Sequence, residues 1–317
     1  MFLTIINGRF MKIYQITISV AGLLLASLSP AHAANNLFES DWATGNIYKF
    51  TPAGVRSTFA SGLSSPEGLA FDQAGNLYVG NAGASEIIKI KPDGTKSVFA
   101  SGLLNPYGLA FNSAGDLFVS TDSGTIIKIS PGGVKSAFAL GLSQPFGIAF
   151  DRTGNLFVAD AGHYQIVKIT PDGLESVFAS GIYNNPEGLA INSAGDLFMS
   201  HYGGGITKFT PTGVSSVYAS GSSTCPGLAF DTYGTLFASE FNGNKITELT
   251  PDGLMNTFSS AVSQPFGLAF EGLILPVPEP SVLCLVAAGL TGFIVWRCSL
   301  FSKKSLPGCR LTRTPAE

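Results

Sequence analysis

The chain has 317 residues, with 38 Gly, 24 Phe and only 12% charged residues, a composition of turns and packed aromatics that favours β structure with a small-residue surface. Its 18 basic and 21 acidic residues give a formal net charge of −3 with no long run of either sign, so the electrostatic footprint of a nucleic-acid-binding protein is missing. Of the four cysteines only Cys225 lies between residues 37 and 272, which argues against a disulfide framework and leaves Cys225 as a small, partly buried apolar residue.

The first element is a targeting segment. Lys12 precedes an apolar run from Ile13 to Leu28 and then Ala31-His32-Ala33, the order of a secretory signal with a small-residue cleavage site. Residues 1–33 are therefore expected to be a signal peptide cut after Ala33, and Met11, just before Lys12, is a second candidate start.

An internal repeat follows. Gly68, Gly108, Gly147, Gly188, Gly227 and Gly267 fall 40, 39, 41, 39 and 40 residues apart, the period of propeller blades or of a solenoid. Each unit offers four short β-rich runs, the first complete set being Gly68 to Phe71, Leu77 to Gly80, Ile87 to Ile90 and Ser97 to Ala100. Asp72 to Gly75, Asn112 to Gly115, Asp151 to Gly154, Asn192 to Gly195 and Asp231 to Gly234 each place an Asx three residues before a Gly, the chemistry of a type I turn closed by a residue with φ > 0. Pro92-Asp93-Gly94 and its counterparts at Pro131, Pro171, Pro211 and Pro251 specify the later hairpin. Gly267 to Phe270 is a first strand without a following blade, and Leu37 to Phe59 supplies second, third and fourth strands without a first. The two fragments complete one blade and close a ring of six, which removes the exposed sheet edges a linear array would need to cap. The expected fold is an all-β, six-bladed propeller over residues 37–272.

Beyond it, Val277-Pro-Glu-Pro-Ser281 precedes fifteen mostly apolar residues, Val282 to Trp296, and Arg297. As a helix these rise about 22 Å against roughly 30 Å of hydrocarbon, so a stable span is marginal. Residues 277–297 resemble the PEP-CTERM sorting signal of Gram-negative bacteria. The resemblance implies an exosortase-type processing enzyme as partner, transient membrane contact, and delivery to the cell surface or an exopolysaccharide matrix. An ordinary C-terminal anchor, with 298–317 as a basic tail under the positive-inside rule, is the alternative.

The repeats, typified by PEGLAFDQAGNLYV from Pro66 and PDGTKSVFASGL from Pro92, resemble the NHL repeat and, more distantly, the six-bladed propellers of the SMP-30/gluconolactonase and streptogramin-lyase group. The fold signal is strong, whereas one fold hosts many functions.

In such a meander the residue between Pro and Gly faces one mouth of the central channel: Glu67, Tyr107, Phe146, Glu187 and Phe266, with Cys225 or Pro226 in the shortened unit. The second strands end at the same face with Asp41, Asn81, Thr121, Asp160, His201 and Glu240. Three readings stay open, the enzymatic one in two versions. Aromatics beside carboxylates and amides suit a binding rim for a glycan or a protein loop. The lactonase resemblance implies a Ca²⁺ centre, for which Glu67 and Glu187 are the matching ligands, with Asn81 and Asp160 as further oxygens. The lyase resemblance implies an acid/base pair, for which His201 would serve with Glu187 or Glu240. A purely structural matrix protein is the third reading. Two other columns look architectural: Lys49, Lys89, Lys128, Lys168 and Lys208 on a solvated blade face, and Phe59, Phe99, Phe138, Phe178, Tyr218 and Phe258 packed between blades.

Overall fold

A computed structural model describes residues 35–221, 223–251 and 254–272. The expected signal segment 1–33, the 277–297 segment and the 298–317 tail lie outside the described residues. Among the described residues no helix is long and apolar enough to cross a membrane.

Turn chemistry builds the hairpins locally. Asp72 Oδ1 accepts the backbone N–H groups of Ala74 and Asn76, Gly75 N donates to Asp72 O at 3.0 Å, and Gly75 sits at φ +79°. At the later turn Gly94 N donates to Lys91 O at 2.8 Å with φ +85°.

These turns join strands β1 (Leu37–Asp41), β2 (Asn46–Phe50) and β3 (Arg56–Ala60), then β4 (Pro66–Phe71) to β7 (Lys96–Ser101) through β5 (Leu77–Asn81) and β6 (Glu86–Ile90). The third blade runs β8 (Pro106–Phe111), β9 (Leu117–Thr121), β10 (Thr125–Ile129), β11 (Lys135–Ala139), and the fourth β12 (Pro145–Phe150), β13 (Leu156–Asp160), β14 (Gln165–Ile169), β15 (Glu175–Ser180). The fifth has β16 (Pro186–Ile191), β17 (Leu197–His201), β18 (Ile206–Phe209), β19 (Ser215–Ala219), and the last β20 (Leu228–Phe230), β21 (Leu236–Glu240), β22 (Lys245–Leu249), β23 (Met255–Ser259) and, beyond them, β24 (Pro265–Phe270). Six antiparallel four-stranded sheets result, and β24 pairs with β1 in the register Leu37↔Phe270, Phe38↔Ala269, Glu39↔Leu268. The ring is a six-bladed β-propeller closed by strands from opposite ends of the repeat region, as the leftover fragments require.

Aromatic pairs hold blade to blade. Phe38 meets Phe59 of its own blade at 4.9 Å and Phe71 of the next at 5.0 Å, both edge-to-face. Tyr78 does the same with Phe99 and Phe111, Phe118 with Phe138 and Phe150, and Phe198 with Tyr218 and Phe230. Such geometry adds about 0.5–1.5 kcal/mol per pair beyond area burial. The lysine column is more than a solvated face: Lys49, Lys89, Lys128, Lys168 and Lys208 each place the ammonium 5.1–5.8 Å from the second-strand ring. Lys89, Lys128 and Lys208 also pair with Asp72, Asp116 and Asp196 of the first hairpin turn.

Nearest the axis the contact is backbone on backbone. A Cβ on Gly68 would stand 2.0 Å from Tyr107 O, on Gly108 2.5 Å from Phe146 O, and on Gly267 2.3 Å from Glu67 O. The glycine repeated in every blade is therefore the residue that lets inner strands meet. Serines brace the same level: Ser200 Oγ accepts Gly188 N–H at 2.8 Å and donates to Cys225 O of the next blade at 2.6 Å. Ser120 and Ser239 repeat the brace toward Phe146 O and Phe266 O at 2.6 Å.

Candidate functional site

Five of the six inner strands, all but β20, carry a bulge between Pro and the Leu or Ile three residues on, which leaves the intervening pair unpaired with the second strand. The bulge turns the residue after Pro toward the axis. Before four of these prolines, Ser65, Asn105, Gln144 and Gln264 hold φ of 43° to 52°.

The channel mouth is a cup of about 290 Å³. Its floor is one aliphatic side chain per blade: Leu69, Leu109, Ile148, Leu189, Leu228 and Leu268, all buried. Its wall holds Tyr107, Phe146, Glu187, Pro226 and Phe266, so Pro226 rather than Cys225 takes the wall position in the shortened unit. Glu67 occupies the same position on β4, buried beside Trp42 and Tyr107. Tyr107 and Phe146 form one aromatic arc, with centroids 4.9 Å apart. Trp42, Phe241 and Phe266 form the other, at 6.0 and 6.1 Å.

Glu187, in the wall, and Glu67, buried at the equivalent position on β4, are both in poor surroundings for charge. Burial pushes Glu67 up to about 8, against a hydrogen bond from the Trp42 side chain, and burial pushes Glu187 up to about 7. One oxygen of each, Oε2, is buried without a hydrogen-bond partner. Burial, reinforced by Glu67 and Asp122, lifts the Tyr107 phenol to about 12.

Three of the second-strand ends, Asp41, Asn81 and Asp160, are buried latches and not open rim groups. Asp41 Oδ2 accepts Ser263 N–H at 2.8 Å, Asn81 Oδ1 accepts Ser64 N–H at 2.7 Å, and Asp160 Oδ1 accepts Ser143 N–H at 2.6 Å. Each ties the loop entering an inner strand to the end of its neighbour. Thr121 donates to Thr125 O at 2.9 Å instead. Asp160, fully buried, also takes Gln165 Nε2 at 2.8 Å and lies 2.8 Å from His163 Nδ1. Asp160→Ala is expected to lower stability by about 2–3 kcal/mol, because it orphans buried donors; urea unfolding measures this.

His201 and Glu240 are not brought together. Both His201 nitrogens face the fifth blade and its entry loop, Nδ1 3.1 Å from Tyr183 O and Nε2 2.7 Å from Thr207 Oγ1. Glu240 accepts Thr247 Oγ1–H and pairs with Lys245 at 3.3 Å in the sixth. A calcium centre fits no better. Glu67 on β4 and Glu187 on β16 stand three blades apart in a ring of six, hence opposite. Among the described residues no group of three or more His, Cys, Asp or Glu is placed to hold a metal. Asn81 and Asp160 are committed to their latches, so the oxygens a hard cation needs do not converge.

The sequence reading missed the lip. Trp42, Tyr202 and Phe241 immediately follow the second-strand ends of three consecutive blades, where the other three have Ala82, Asp122 and Ala161. Tyr202 and Phe241 line the cup, and Trp42 and Tyr202 are exposed. Reading one column further along the repeat would have found them.

Fold and cup define a six-bladed β-propeller with an aromatic pocket at one mouth. No protein-family model matches the chain, and no curated protein matches it. Solved structures do. A chain in the crystal structure of a nidogen/laminin complex is 18% identical with a TM-score of 0.68, over 75% of this chain and 98% of that one. A streptogramin B lyase structure is 16% identical with a TM-score of 0.59, over 77% and 92%. Virginiamycin B lyase from Staphylococcus aureus is 20% identical with a TM-score of 0.54, over 65% and 77%. At these identities the likeness shows the fold alone, which serves binding and enzymatic proteins alike.

Proposed function

We propose that this chain is an exported, surface- or matrix-associated propeller that acts as a binding module through its channel mouth, with a glycan or a protein loop as ligand. The observation that carries the reading is the cup itself: an aliphatic floor, two aromatic arcs and few polar groups, the make-up of a recognition pocket. Export and exosortase-type handling rest on the terminal sequences, 1–33 and 277–297. The lactonase and lyase alternatives lack support from the site, because neither a set of converging oxygens nor a His–Glu pair is assembled.

The test is titration of the full chain with a panel of mono- and oligosaccharides and short peptides, read by calorimetry, with Ca²⁺ and a lactone as enzyme controls. Saturable binding that falls at least tenfold in the Phe146→Ala, Phe266→Ala double variant is expected, since buried aromatic anchors dominate binding energy. Calcium-dependent lactone hydrolysis, or panel binding indifferent to the double change, would overturn the reading.

A further inference from the structure

Resting on the reading of the cup as a binding site, its chemistry narrows the ligand class. Glu67 and Glu187 are each less than one-tenth exposed, and each has a buried Oε2 with no partner in the protein. Among the described residues lining the cup there is no Lys, Arg or His, so nothing in it supplies a counter-charge. Asp122 adds a further acidic group near Glu67 and Tyr107. Tyr107, Phe146, Phe241 and Phe266 line the same cup as Glu187, and Trp42 stands beside Glu67. Tyr202, Thr224 and Asn242 offer a sugar hydrogen bonds, but a neutral sugar supplies no charge to match a carboxylate without a partner. A cation satisfies both features at once: it pairs with a carboxylate that has no partner, and it is attracted to aromatic rings when desolvated. We infer that the cup takes an organic ammonium cation with an apolar body, its charged head against Glu187, with Glu67 across the ring adding negative charge at longer range, and its body on the aromatic arcs and aliphatic floor.

Ligand charge and carboxyl ionisation are then linked. The groups facing Glu67 are Tyr107 and Asp122, and Cys225 faces Glu187; Tyr107 and Cys225 are both pushed up to about 12. The carboxyls at about 8 and about 7 are thus the groups expected to change charge between pH 6 and 8.5.

The experiment is calorimetric titration of the full chain with choline and with its uncharged isostere 3,3-dimethylbutan-1-ol, at pH 8.5 and pH 6. At pH 8.5 choline is expected to bind at least tenfold more tightly than the isostere, and to weaken at least fivefold at pH 6, where both carboxyls take up protons. Glu67→Gln with Glu187→Gln, checked for folding by near-ultraviolet circular dichroism, should erase both the preference and the pH dependence. The single Glu187→Gln variant should show part of each loss. Equal binding of the two probes, binding of neither, or a choline preference that survives the double change would each overturn the inference. The saccharide and peptide panel judges the binding reading independently, so cation selectivity can fail while the cup remains a binding site.

Discussion

Glu39→Val is expected to stabilise the propeller, by about 2–4 kcal/mol near pH 8, the range seen when unmatched buried polar groups give way to packed hydrophobics. Glu39 lies on β1, fully buried, and neither carboxyl oxygen has a hydrogen-bond partner. The equivalent second-strand residues are Val79, Val119, Val158, Met199 and Ala238, all buried and apolar. A valine there therefore repeats a packing solution already used in three blades. Burial raises the Glu39 carboxyl well above its ordinary range, the Asp41 charge adds to this, and Arg56 opposes it.

The pH dependence follows in sign. Between the unfolded carboxyl value and the raised folded value, the unfolded chain has released this proton and the folded chain has kept it. Stability then falls as pH rises through that window. Glu67 and Glu187, at about 8 and about 7, act in the same direction. The native chain should unfold at lower urea concentration at pH 8 than at pH 5, and Glu39→Val should reduce this slope without abolishing it. For a domain of this size the gain corresponds to a rise in Tm of about 5–10 °C. A variant no more stable than the native chain at pH 8, or one with an unchanged slope, would refute the argument.

Gly147→Ala is expected to act in the opposite sense, destabilising by about 3 kcal/mol or more, at the upper end for overpacking. Its Cβ would fall 2.4 Å from Glu187 O, 2.7 Å from Leu189 N and 3.0 Å from Gly188 Cα, all of them backbone atoms of β16. No rotamer change relieves such contacts, so β12 and β16 must separate. That movement shifts Glu187 and Leu189, and the cup should lose ligand along with the fold losing stability. Gly132→Ala is the control: its Cβ meets only Ser130 Oγ, at 3.9 Å, and a change within about 0.5 kcal/mol is expected for such a surface site. Equal urea midpoints for the two variants would show that the inner strands are not held by backbone contact.

Much of this was legible along the chain. The repeat spacing, the Asx-to-Gly turns and the leftover strands at Leu37 and Gly267 specify blades and their closure, because a hairpin turn is decided by four adjacent residues and closure by counting strands. Part of the cup's lining was legible for a related reason: Tyr107, Phe146, Glu187 and Phe266 occupy one column between Pro and Gly. The second-strand ends were misread as rim residues, since alternation along a strand says which face a side chain takes and not which loop reaches it. Asp160 accepts the N–H of Ser143, seventeen positions earlier, and Asp41 that of Ser263, across the ring closure.

What the sequence alone determined is therefore the propeller and its periodic columns, all set by local turn geometry and a regular period. Tertiary structure alone decided the rest: that His201 and Glu240 face their own blades, that Glu39 is sealed without a partner, and that Trp42 and Phe241 extend the aromatic wall. The reason is physical. Burial and hydrogen-bond partnership depend on the distance between blades, and that distance is set by six inner strands converging on one axis, where backbone meets backbone.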